Sequence, residues 1–140
     1  MESYESTALI EADPSAIWAI LTDAGAYPSW DSGVIAAEGR IEPGAKLKVT
    51  SEANPKRAFP VKVTELRPGE LMTWTGGMPL GLFKGERTYR LTPEGGATRF
   101  TMREEYTGPL LPLIFRTIPD LQPSFDKFAR GLKQRAERAT

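Results

Sequence analysis

The chain contains neither cysteine nor histidine in its 140 residues. Disulfides, thiolate nucleophiles, Cys/His zinc sites, imidazole bases and Ser-His triads are thereby excluded. Acid–base chemistry is left to Asp, Glu, Lys and Tyr, and a metal would need an all-oxygen site. No acidic loop of the D-x-D-x-D-G kind is present, so neither a metal nor another cofactor is expected. Charge of one sign is also missing: 18 basic residues balance 18 acidic ones. Only the tail gathers cations, where Lys127, Arg130, Lys133, Arg135 and Arg138 alternate with Asp126 and Glu137 as on a solvated helix face. The overall balance gives no electrostatic footprint for nucleic acid or an anionic membrane. No apolar run approaches the ~20 residues of a membrane span, and "MESYEST" has neither the basic nor the apolar region of a signal peptide. The expectation is a cytoplasmic protein without stable membrane insertion, whose sequence specifies no oligomeric state.

Without a composition shift or internal repeat, the 140 residues read as one domain, 1–140. Residues 3–11 alternate as a strand, with Tyr4, Ser6, Ala8 and Ile10 on one face, taken as inward. Asp13-Pro14 starts a short helix that buries Ile17, Trp18, Ile20 and Leu21. "TDAGAYPSWDSG" then sets a proline between two of the few aromatics, and "AYPSW" has room for at most one further turn. Segments near 34–41, 45–52, 58–67, 70–76, 83–92 and 98–107 read as strands. The breaks "EPGA", "RPGE" and "EGGA" are tight turns, so a meander of antiparallel neighbours is predicted. "GPLLPLIFRTIP" is a short helix or an irregular flap. From about Asp120 to Ala139, Leu121, Phe125, Phe128 and Leu132 recur at helical spacing, with the helix either beginning near Gln122 or bending at Pro123.

The hairpin "RTYRLTPEGGATRFTMREEYTG" is the most informative stretch. With Gly95 and Gly96 at the centre of a two-residue turn, Leu91 faces Phe100, Tyr89 faces Met102, Arg87 faces Glu104 and Gly85 faces Tyr106. All the apolar pairs then share one face, and Arg87 and Glu104 fall on that face too. An unpaired charge there costs several kcal/mol, so the two are expected to pair, to line a hydrated cavity, or both. A similar count about Pro68-Gly69 places Val63 opposite Trp74 and Glu65 opposite Met72. The inner wall of Val61, Val63, Met72, Trp74, Tyr89, Phe100, Met102 and Tyr106, covered by a helix presenting Phe125 and Phe128, could be plain core. Several polar tips on one apolar wall also fit a ligand pocket, and both readings stand at this point.

One strand, a short helical pair, six strands and a long C-terminal helix follow the order of the START-like, or helix-grip, fold. In "IEADPSAIWAILTDAGAYPSW", "LMTWTGG", "GLFKGERTYRLTP" and "TRFTMREEYTGPL" the chain resembles the polyketide cyclase/dehydrase group of the SRPBCC superfamily. The resemblance implies an α+β architecture, a curved antiparallel sheet gripping the C-terminal helix, with two short helices after the first strand. It also implies a cavity between sheet and helix for apolar or amphipathic molecules, with Trp30 at the entrance and Arg87 and Glu104 as polar anchors within. The expected partner is a small hydrophobic ligand such as a lipid, isoprenoid or polyketide-like aromatic. It would be lined by Trp30, Met72, Trp74, Arg87, Tyr89, Phe100, Met102, Glu104, Tyr106, Phe125 and Phe128. A cyclase-type enzyme using Glu104 as general acid or base is the alternative. A third is a protein-interaction module like the Hsp90-activator branch, which an exposed apolar patch around Leu110 to Phe115 would support.

Overall fold

The computed structural model describes residues 2–138. Strand β1 (Glu2–Ile10) leads into helix α1 (Pro14–Leu21) and a 3₁₀ helix at Ala24–Ser29. Strands β2 (Val34–Glu38), β3 (Lys46–Ser51), β4 (Phe59–Arg67), β5 (Leu71–Gly77), β6 (Lys84–Glu94) and β7 (Ala97–Thr107) follow. Helices α2 (Leu111–Phe115) and α3 (Gln122–Arg138) complete the described chain. The seven strands form one antiparallel sheet in the order β1-β7-β6-β5-β4-β3-β2, a meander from β2 to β7 with β1 added beside β7. Strand twist accumulates over these strands and curls the sheet into a half-barrel whose concave face receives α3. This is the helix-grip architecture.

Most elements fall where periodicity puts them, and the departures have local causes. β2 ends at Glu38, short of residue 41, because Gly39 adopts φ +110° and sits against Leu47 and the Lys46 carbonyl. The 3₁₀ helix begins at Ala24 and exceeds the single turn expected of "AYPSW". Its i→i+3 bonds, Ala26 N–H to the Asp23 carbonyl at 3.1 Å and Trp30 N–H to that of Tyr27 at 3.3 Å, do not need the amide that Pro28 lacks. α3 starts at Gln122, so Pro123 occupies its first turn, where a missing N–H costs nothing. Its expected end at Ala139 lies outside the described residues. The proline-broken segment forms the short α2.

Hairpin β6–β7 has the predicted register throughout: Arg87 faces Glu104, Tyr89 faces Met102, and Leu91 faces Phe100. Gly95 and Gly96, at φ +58° and +89°, make the two-residue turn that allows one register only. The β4–β5 pairing differs from expectation in one part. Val63 faces Trp74 as predicted, but Glu65 faces Thr73, and Leu66 takes the place opposite Met72. A Pro68-Gly69 type II turn does not match the twist of a two-residue hairpin. The connection therefore takes one more residue, Arg67 pairing with Leu71, and a bulge at Thr64 restores the register before Val63. The slip turns Glu65 to solvent and Leu66 inward, which removes a carboxylate from the core face.

α3 is held along both rims of the curled sheet. On the β1 side, Gln122 Nε2 donates to the Glu5 carbonyl at 2.9 Å, and Lys133 Nζ donates to that of Leu9 at 2.7 Å. On the other side Lys127 Nζ meets Glu52 at 2.9 Å. Between the rims the helix buries Phe125, Phe128, Ala129, Gly131, Leu132 and Ala136.

Candidate functional site

The sheet register fixes which side chains share the concave face. Across β4, β5, β6, β7 and β1 one row runs Val63, Trp74, Arg87, Glu104, Tyr4. The next row toward α2 runs Val61, Gly76, Gly85, Tyr106, Glu2, so two glycines stand side by side next to the charged pair. A Cβ on Gly85 would lie 2.6 Å from Glu104 Oε2, so the glycine makes the space the carboxylate occupies.

Arg87 Nε donates to Glu104 Oε1 at 2.7 Å. The pair faces the helix side of the sheet, yet 29% of the Arg87 side chain and 15% of the Glu104 side chain remain open to solvent. It adjoins a connected set of four aromatic rings, Phe125, Tyr4, Tyr106 and Phe115. Arg87 Cζ lies 4.7 Å from the Phe125 ring centroid, a cation–π contact. Tyr4 packs at 5.6 Å on Phe125, 5.9 Å on Phe115 and 6.1 Å on Tyr106. Phe83 stacks on Tyr106 at 5.9 Å. Burial opposes the guanidinium charge, but the Glu104 carboxylate outweighs it and the Arg87 pKa is raised, so Arg87 stays protonated. Burial also pushes the Tyr106 hydroxyl up, helped by Glu104, and pushes Tyr89 up to about 12, with Arg87 pulling the other way. Both phenols are therefore neutral O–H donors near pH 7.

The residues singled out from sequence divide into three places. Arg87, Glu104, Tyr106 and Phe125 come together at the partly open end just described. Met72, Trp74, Tyr89, Phe100, Met102 and Phe128 form a close-packed interior, with Trp74 on Tyr89 at 4.9 Å and Tyr89 on Phe128 at 5.8 Å. Trp30 lies beyond Phe128, at 5.2 Å from it. It borders a surface depression of about 480 Å³ shared with Pro28, Asp31, Arg135 and Arg138, at the far end of α3 from Phe125. Its neighbour Tyr27 is fully buried and donates its hydroxyl to the Leu21 carbonyl, closing the end of α1. The indole N–H groups of Trp74 and Trp30 are buried without a hydrogen-bond acceptor among the described residues.

Two members of the open end were missed. Tyr4 was already on the inward face of β1, but only the pairing of β1 with β7 brings it opposite Glu104. Phe115 sits in the proline-broken segment, whose periodicity is too short to assign a face. Among the described residues no group of three or more acidic side chains is placed to hold a metal ion.

Residues 1–137 match the family model described as polyketide cyclase / dehydrase and lipid transport. The chain belongs to this family. No curated protein matches it. Among solved structures, protein MLL2253 from Mesorhizobium loti is similar at 15% identity, with 99% of each chain covered and a TM-score of 0.77. A START superfamily protein from Mycobacterium smegmatis is similar at 17% identity, 99% coverage of each chain and a TM-score of 0.74. The Zhui aromatase/cyclase from Streptomyces sp. R1128 follows at 11% identity, covering 98% of this chain and 94% of its own, with a TM-score of 0.72. At such identities these likenesses establish the shared START-like fold. No helix among the described residues is long and apolar enough to cross a membrane.

Proposed function

We propose that this protein binds a small apolar or amphipathic molecule at the open end of the concave sheet face, with its polar group against Arg87 and Glu104. The observation that carries this reading is the ion pair itself. A charged pair on the helix-facing side of a sheet, part-open to solvent and set against Phe125 in a cluster with Tyr4, Tyr106 and Phe115, offers polar orientation beside an apolar wall. Structural ion pairs gain little from such surroundings, because desolvation offsets the Coulomb term. A ligand oxygen accepting from Arg87 and Tyr106 would use donors already oriented. Membership of a family described by cyclase, dehydrase and lipid-transport activities supports the same class of ligand.

Native mass spectrometry of the protein from its own host tests the proposal, together with titration by anilinonaphthalene sulfonate as a fluorescent apolar anion. One retained compound per chain, or saturable probe binding weakened about tenfold in Arg87→Leu, is expected for loss of a charge-assisted hydrogen bond. An empty protein that also fails to bind the probe would overturn it.

A second reading, a cyclase-type reaction, is favoured by one arrangement. Glu104 lies beside Tyr106, a phenol held neutral, so a carboxylate able to take a proton adjoins a donor able to stabilise an enolate oxygen. Turnover of a poly-β-ketone mimic that disappears in Glu104→Gln while binding survives would favour this reading over simple binding.

A further inference from the structure

The β5–β6 connection and the segment after β7 form a second surface, outside the concave face. Leu80 is 95% exposed and adopts φ +61°. Among the described residues it is the one non-glycine in the left-handed region. A Cβ is disfavoured there, and a glycine would relieve the strain at no cost in contacts. The sequence nevertheless keeps a large apolar side chain at the tip, held wholly in solvent.

Leu80 is not isolated. Leu110 N–H donates to the Leu82 carbonyl at 2.9 Å, and Gly108 packs so closely that a Cβ would lie 2.5 Å from that same oxygen. The two segments are thus locked side by side. Met78, Leu80 and Leu113, at 42%, 95% and 59% exposure, are three of the five large hydrophobic residues exposed among the described residues. Cations stand nearest to them, with the carboxylates Glu86 and Glu105, opposite each other on β6 and β7, just beyond. Residues 71–85 and 106–119 contain no acidic residue, while they contribute Lys84 and Arg116. A groove of about 280 Å³ beside Met78, Gly81 and Phe83 is lined by Lys62 and Lys84, with the hydroxyls of Thr64 and Thr75. The nearest counter-charge is Glu86, at 3.2 Å from Lys84.

We propose that this end of the molecule docks on the surface of an anionic phospholipid bilayer, with Leu80, Met78 and Leu113 entering the interface and Lys62 and Lys84 meeting headgroup phosphates. Apolar side chains at a loop tip beside Lys62, Lys84 and Arg116, of which Glu86 offsets Lys84, match the two terms of interfacial binding, apolar burial and attraction to anionic lipid. A globally neutral chain gives no long-range pull, so the attraction is local to this end. Phe83, three residues after the tip, connects the surface to the concave face by stacking on Tyr106.

The test is co-sedimentation of the full chain with phosphatidylcholine vesicles, with and without phosphatidylglycerol. Binding that requires phosphatidylglycerol, falls with added salt and drops about tenfold in Leu80→Asp is expected from loss of one inserted leucine. Leu80→Gly should lose vesicle binding while melting no lower than the parent, which separates docking from folding. Lys62→Glu with Lys84→Glu should remove the preference for anionic lipid. Parent protein that stays in the supernatant, a Leu80→Asp variant that binds undiminished, or a dimer in light scattering that this substitution dissolves would overturn the proposal. The last would assign the patch to a second copy. Arg87→Leu should bind vesicles normally, so failure of the ligand reading and failure of docking are distinguishable.

Discussion

Arg87 and Glu104 sit directly opposite each other on β6 and β7, joined by a 2.7 Å bond from Nε to Oε1 on the face covered by α3. Each side chain is less than one-third exposed, so solvent screens the pair only in part. Replacing either residue alone by leucine leaves its partner charged against Phe125 and Tyr106. A loss of about 1–3 kcal/mol is expected for each single variant. The double leucine variant should lose less than the two singles together, since no charge remains stranded. Urea unfolding of the four proteins measures the coupling, and strictly additive losses would show that the pair does not act as a unit.

Gly131 gives a prediction of opposite sign to helix propensity. In an exposed helix interior, Gly→Ala stabilises by about 1 kcal/mol. Here a Cβ would lie 2.1 Å from the Asp31 carbonyl oxygen, because α3 passes against the backbone after the 3₁₀ helix. Gly131→Ala should therefore destabilise, by roughly 1–3 kcal/mol for an overpacked contact. A raised melting temperature would contradict the close approach of α3 to this segment.

Thr98 is fully buried, and its Oγ1 donates to the Ala12 carbonyl at 2.8 Å, pinning the turn between β1 and α1 to β7. Thr98→Val preserves shape but strands that carbonyl. About 1–2 kcal/mol should be lost in chemical denaturation. A variant as stable as the parent would mean that Ala12 finds another donor.

Alkaline pH should unfold the protein early. Burial raises the Tyr89 hydroxyl to about 12 and also raises Tyr27 and Tyr106, whereas unfolded tyrosines ionise near pH ~10. A pKa raised in the folded state leaves stability complete below about pH 10 and removes it as pH climbs toward 12. Unfolding free energies measured between neutral and strongly alkaline pH should fall over that window, and Tyr89→Phe should flatten the fall. A flat profile in the parent would show that these phenols ionise without unfolding.

The amino-acid pattern by itself determined a good deal of this protein, through local rules. Alternation identified the strands, Asp13-Pro14 placed the start of α1, and the apolar spacing of Phe125, Phe128 and Leu132 identified α3. Gly95-Gly96 allows a single two-residue turn, so the pairing of Arg87 with Glu104 followed from counting. The same counting failed from Glu65 onward, because a type II Pro-Gly turn lengthens the connection and the bulge at Thr64 absorbs the difference. That choice depends on which register keeps a carboxylate out of the core. Only the tertiary structure decided how the inward residues divide. The approach of α3, permitted by Gly131 and tied at both sheet rims, packs Trp74, Tyr89 and Phe128 together and leaves the end at Arg87 partly open. Tyr4 and Phe115 reach that end from positions 111 residues apart, joined to it by strand pairing and helix packing that no local pattern encodes.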